Sequence, residues 1–128
     1  MSQDLLFVYG TLRPGFDGPM AAWLRGAARP VGPAWIGGAL YRVADYPGFV
    51  PGAAGHVAGD LFALADPATV LPILDAHEEC SDAFPEPHEY RRERLIVETA
   101  EGPVAAWTYV YARDVSALER IEGGDFLA

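Results

Sequence analysis

The sequence contains no lysine, and all nine of its Lys/Arg positions are arginine. Without a lysine amine, Schiff-base catalysis and a P-loop phosphate site are excluded. Cysteine is almost absent too: Cys80 stands alone. No disulfide and no thiolate metal cluster can form within one chain, which fits a reducing compartment. No apolar run approaches the ~20 residues that a bilayer-crossing helix needs. Met1-Ser2-Gln3-Asp4 leads directly into an apolar run without a basic stretch, so no signal peptide is read there and the cytoplasm is the expected location. Positive charge is scarce overall, with 9 basic against 18 acidic residues and a net charge of −9. A nucleic-acid partner calls for a basic face, and an anionic membrane surface would repel this chain; neither is expected.

What is present suits one globular domain over residues 1–128, with 51% hydrophobic and 12% aromatic residues. Leu5 to Tyr9 reads as a buried strand that Gly10 ends. Met20 to Ala27 reads as a short helix with Trp23 and Leu24 inward. Strands are expected at 35–36, 39–43 and 56–64, with the breaker-rich stretch 46–52 as a loop between them. Asp66-Pro67 marks a helix start, an N-cap carboxylate followed by proline at the first helical position, and the helix is expected to run to about Glu79. Ser81 to His88 reads as a loop, residues 90–112 as a hairpin turning at Glu101-Gly102-Pro103, and Asp114 as the cap of a short last helix. Strands outnumber helices and β-α-β alternation is poor. The expected class is α+β, a mixed sheet curled into a small β-barrel with flanking short helices.

In the helix at 67–79, Leu71, Leu74 and Glu78 fall at i, i+3 and i+7, on one stripe. Glu78 is therefore directed toward the side the leucines bury. Desolvation and the negative end of the helix dipole would both raise its pKa, as a group that accepts and returns a proton near neutrality requires. The competing reading has Glu78 reaching past the helix end into water, and periodicity alone favours it, because most carboxylates are exposed. Tyr9-Gly10-Thr11-Leu12-Arg13 follows the first strand. A glycine turn with free amides forms a concavity suited to a carboxylate or an oxyanion, though it is equally an ordinary strand-to-helix connection.

Leu6-Phe7-Val8-Tyr9-Gly10-Thr11-Leu12-Arg13-Pro14-Gly15 resembles the opening signature of the γ-glutamylcyclotransferase-like (AIG2-like) family. Further stretches match in order: Leu40-Tyr41 with Tyr46-Pro47, Val57 to Phe62, Leu74-Asp75-Ala76-His77-Glu78, Tyr90-Arg91-Arg92, Ala106 to Tyr111, and Gly124-Asp125-Phe126. The resemblance spans nearly the whole chain and is of the γ-glutamylamine cyclotransferase type. It implies a small β-barrel that closes γ-glutamyl amines or peptides to 5-oxoproline, with no metal and no cofactor. It makes Glu78 the catalytic residue and Tyr9, Gly10, Thr11 and Leu12 the substrate cradle; Tyr90 and Arg92 are expected to bind substrate too, lining or bracing the pocket. The partner so implied is a small γ-glutamyl molecule. Glu79 stands where the family often has glycine, either raising the pKa of Glu78 further or pointing to water. A barrel that binds a small anion and does no chemistry is the alternative.

His77, Glu78, Glu79 and His88 lack a clean metal-ligand spacing, so no metal site is expected. Cys80 beside His77 or His88 reads as incidental rather than as a thiol catalyst. Arg91, Arg92 and Arg94 read as a solvated strand face paired with Glu89, Glu93 and Glu98. Trp23, Trp35 and Trp107 read as core anchors.

Overall fold

The apolar run at the start forms β1 (Asp4–Val8), and its alternation organises the molecule. Leu6 and Val8 face one hydrophobic cluster, Phe7 and Tyr9 the other. The computed structural model describes residues 4–81 and 83–127, apart from the side chains at 53 and 54. Met1 to Gln3, read above for their lack of basic charge, lie outside the described residues.

After β1 come α1 (Pro19–Ala27), β2 (Arg29–Arg42), β3 (Pro47–Leu64), α2 (Pro67–His77), β4 (Tyr90–Thr99), β5 (Gly102–Tyr111) and β6 (Glu119–Arg120). The strand order β3-β1-β5-β4-β2 closes on itself, because β2 also pairs with β3. The result is a closed five-strand barrel, with β6 added to β2. β1 runs parallel to β5, and the other pairings are antiparallel. Closure leaves few backbone groups unpaired at a sheet edge. The barrel interior holds Phe7, Tyr9, Ile36, Leu40, Phe49, Val57 and Val97. Leu24 of α1 and Val70, Leu71 and Leu74 of α2 pack with Leu6 and Val8 in the second cluster. Among the described residues no helix is long and apolar enough to cross a membrane.

Several local expectations change. Of the stretch 46–52, residues 47–52 belong to β3, and the chain reverses just before, where the Val43 N–H donates to the Tyr46 carbonyl at 3.1 Å. Trp35-Ile36 and Ala39 onward are one strand, β2. The breakers are absorbed by a register shift at Gly37/Gly38, where the partner residue jumps from His56 to Pro51. No helix follows Asp114. Its carboxylate instead accepts from the Ser116 N–H at 3.1 Å and the Ser116 hydroxyl at 2.8 Å, closing a turn before β6. Asp66 makes no side-chain cap; its backbone carbonyl receives the Val70 N–H at 3.0 Å. Trp35 is exposed rather than a core anchor, while Trp23 and Trp107 pack partly buried against the core.

Candidate active site

α2 ends one residue before the carboxylate of interest. Glu78 is its C-cap, and the Glu78 N–H still donates to the Leu74 carbonyl at 2.8 Å. The Cys80 N–H returns to the Asp75 carbonyl at 3.0 Å and the Glu79 N–H to the Ala76 carbonyl at 3.1 Å, the paired bonds of a Schellman motif. That motif puts its C′ residue in the left-handed region, and Glu79 has φ +56°. Glycine suits this position because it has no Cβ to collide with the following carbonyl. The cap leaves Glu78 on the leucine stripe, partly buried, in the wall of a cavity of about 360 Å³ that the exposed Glu79 also lines. The volume lies at the small end of ligand pockets.

The cavity lies beyond the C-terminal end of β1. Tyr9, Gly10, Thr11 and Leu12 line it, as do Glu78 and Tyr90. Gly10 is buried against Pro47: a Cβ there would lie 2.6 Å from the proline Cγ. The turn closes through the Arg13 N–H and the Gly10 carbonyl at 3.1 Å, and the Thr11 and Leu12 amides have no acceptor among the described residues. Arg13 fixes this loop from behind. Its Nε donates to Asp60 at 2.8 Å and its Nη1 to Asp125 at 2.7 Å. These bonds explain why the Gly-Asp-aromatic tail belongs to the same pattern as the first turn.

Burial pushes the Glu78 carboxyl up from 4.5 to about 7, and the negative charge of Glu89 adds to the effect. Glu79, weighed above as the second carboxylate, acts instead on His77, where it opposes the lowering caused by burial. Among the described residues the Glu78 side chain has no protein hydrogen-bond partner and is free to meet a ligand. Tyr9 donates to the Tyr109 carbonyl at 2.6 Å and Tyr90 to the Pro47 carbonyl at 2.6 Å. Burial drives both phenols far upward, so they stay neutral donors, fixed in place.

Arg92 is not in the cavity wall. It forms a forked pair with Asp75, Nε to Oδ1 at 2.8 Å and Nη2 to Oδ2 at 3.2 Å, and lies 4.6 Å over the Trp107 ring. Asp75 Oδ1 also receives the Tyr109 hydroxyl at 2.7 Å. Arg92 therefore braces the turn of α2 before Glu78. Arg91 pairs with Glu93, as the reading of a solvated face has it. Burial raises the Cys80 thiol to about 11, which leaves little thiolate for catalysis.

Sequence reasoning missed Glu89 and Tyr46. Tyr46 donates to Glu89, its hydroxyl 2.9 and 3.1 Å from the two carboxylate oxygens, and both residues line the cavity. Glu89 lies just before β4 in a loop, so no strand or helix period marks it.

Residues 6–128 match the family model described as gamma-glutamyl cyclotransferase, AIG2-like. The gamma-glutamylcyclotransferase family protein YtfP of Escherichia coli K12 is 41% identical over 88 residues, 69% of this chain and 66% of that protein, just under two thirds of its length. The YtfP protein of Citrobacter rodentium is 35% identical over 95% of this chain and 94% of its own. The solution structure of E. coli ytfP superposes with a TM-score of 0.64 at 33% identity, covering 96% of both chains. The fold also matches YkqA of Bacillus subtilis, with a TM-score of 0.73 at 23% identity over 97% of this chain and 39% of that one. The strand-turn cradle, the carboxylate at the end of α2 and the tail that grips Arg13 thus occur in a chain that belongs to the γ-glutamyl cyclotransferase, AIG2-like family.

Proposed function

We propose that this protein is a cyclotransferase that converts a γ-glutamyl amine or peptide to 5-oxoproline and the free amine. The observation that carries the reading is Glu78: a carboxyl with a pKa near 7, free of protein partners, sharing a small cavity with the amides of Gly10 to Leu12. In the reaction the substrate's α-amine attacks its own γ-carbonyl. A C–N bond forms to close the five-membered lactam, the original γ C–N bond breaks, and no water is consumed. The attack is intramolecular, so much of its entropic cost is already met. Glu78 takes the proton from the attacking amine and gives one to the departing nitrogen, and a pKa near neutrality serves both steps.

Among the described residues the cavity wall contains no arginine. The α-carboxylate or the developing oxyanion is accordingly assigned to neutral donors, the Thr11 and Leu12 amides, as in other backbone anion sites. Tyr9 and Tyr90 shape the wall. Asp75 and Arg92 hold the end of α2, and Arg13 holds the cradle.

The test is Glu78→Gln assayed for 5-oxoproline release across γ-glutamyl amines and dipeptides. Turnover is expected to fall by about 10²-fold or more while substrate binding persists. Undiminished turnover would remove Glu78 from the reaction.

A further inference from the structure

Six aromatic side chains line the cavity: Phe7, Tyr9, Phe16, Tyr46, Tyr90 and Tyr109. Five of them belong to one of the two hydrophobic clusters or pack against it. The four tyrosines are also held by their hydroxyls, Tyr9 on the Tyr109 carbonyl, Tyr46 on Glu89, Tyr90 on the Pro47 carbonyl and Tyr109 on Asp75. Phe16 is the exception. Among the described residues it is in neither cluster, its ring has no polar atom to anchor it, and it is half-buried on the loop between β1 and α1. Its support comes from the tail. The Phe16 and Phe126 rings meet with centroids 6.4 Å apart, tilted by 33°. Phe126 packs against the cluster inside the barrel, and the guanidinium of Arg42, the last residue of β2, lies 5.5 Å over its ring. The loop is shaped for this contact. The Phe16 N–H donates to the Arg13 carbonyl at 2.9 Å, and a Cβ at Gly18 would lie 2.9 Å from the Phe16 ring. Asp125 holds Arg13 in the same turn. Two adjacent tail residues thus grip the loop, one at a guanidinium and one at a ring.

Resting on the cyclotransferase reading, we propose that Phe126 is a positioning residue for substrate binding: it holds the Phe16 ring as an apolar wall of the cavity, against which the aliphatic part of the substrate packs. A half-buried ring in a cavity this small gives substrate methylenes an apolar surface to cover. Phe16 has no group that moves a proton or polarises a carbonyl. It therefore acts on ground state and transition state alike, which changes KM and leaves kcat as it is.

The experiment measures kcat and KM for 5-oxoproline release on whichever γ-glutamyl alkylamide or dipeptide the native protein turns over fastest. Phe126→Leu should raise KM about fivefold, the scale of one aromatic contact, with kcat within about twofold of native. Phe16→Ala should do the same. Phe126→Tyr keeps the ring and should keep the native KM. In the Phe16→Ala background Phe126→Leu should add nothing, because its route to the substrate is gone. An unchanged KM in Phe126→Leu or Phe16→Ala would overturn the proposal and leave the cyclotransferase reading standing. So would additive effects of the two substitutions, or equal KM values for Phe126→Leu and Phe126→Tyr. If no substrate yields 5-oxoproline, the cyclotransferase reading fails, and hydrogen exchange of the Arg13 and Phe16 amides decides whether the tail positions this wall. Exchange about tenfold faster in Phe126→Leu than in Phe126→Tyr supports the positioning role, and equal rates end it.

Discussion

Replacing Glu78 by Gln should make this protein more stable above neutral pH, and the size of the gain follows from the site. Moving a carboxyl from its ordinary 4.5 to about 7 costs about 3 kcal/mol, at ~1.36 kcal/mol for each tenfold change in proton affinity. The sign follows from linkage. Between pH 4.5 and 7 the folded state binds the Glu78 proton more tightly than the unfolded chain does, so stability falls as pH rises through that window and levels off above it. Glutamine has nearly the same shape and never ionises. The variant and the native protein should therefore be equally stable near pH 4, should diverge from pH 4.5 to 7, and should differ by about 3 kcal/mol at pH 8. For a domain of this size that corresponds to roughly 10 °C in Tm. Urea titrations of both proteins at closely spaced pH values measure the difference directly, and titrating groups remote from Glu78 cancel. Two parallel curves across the whole range would mean that Glu78 is solvated. The proton-transfer role assigned to it would then lose its basis, whatever the activity assays gave.

Glu79→Gly should stabilise the protein by about 0.5–1 kcal/mol in the same titrations, because relief of the left-handed backbone outweighs the extra freedom of glycine in the unfolded chain; a loss of stability would show that the φ of +56° carries no strain. Arg13→Ala removes both ion pairs to Asp60 and Asp125 and should cost about 2 kcal/mol, with a larger fall in kcat/KM for 5-oxoproline release than Arg13→Lys shows. Equal activity of the two variants would mean that the cradle keeps its shape without the forked guanidinium.

The barrel was legible because its strands are short, aromatic-rich and poorly interleaved with helices. The leucine stripe of α2 directs Glu78 toward the buried side, but periodicity left a solvated helix end open, and the family resemblance made the choice. The stretch 46–52 was misread because proline and glycine there serve packing rather than turning. Gly48 lies under Tyr111, where a Cβ would come within 2.7 Å of the ring, and the Pro47 carbonyl is spent on the Tyr90 hydroxyl. Neither partner is near in sequence, so local propensity cannot register them. The expected helix at Asp114 failed for a related reason, since an aspartate that starts a turn has the same local signature as one that starts a helix. Arg92 resembled a pocket residue because the two-residue alternation of β4 puts it on the same face as Tyr90, but the carboxylate of Asp75 and the ring of Trp107 hold it out of the cavity wall. Glu89 had no sequence signal of its own, because its importance comes from Tyr46, 43 positions earlier.

Arg13 reaches an aspartate 47 positions ahead with one nitrogen and another 112 positions ahead with a second. The first turn of the chain therefore cannot take its working shape from its neighbours. During synthesis the strand and the glycine turn emerge early, yet the clamp closes only once the last few residues are in place. The full clamp therefore waits on residues far along the chain, and a chain cut short before Asp125 would hold the cradle through Asp60 alone.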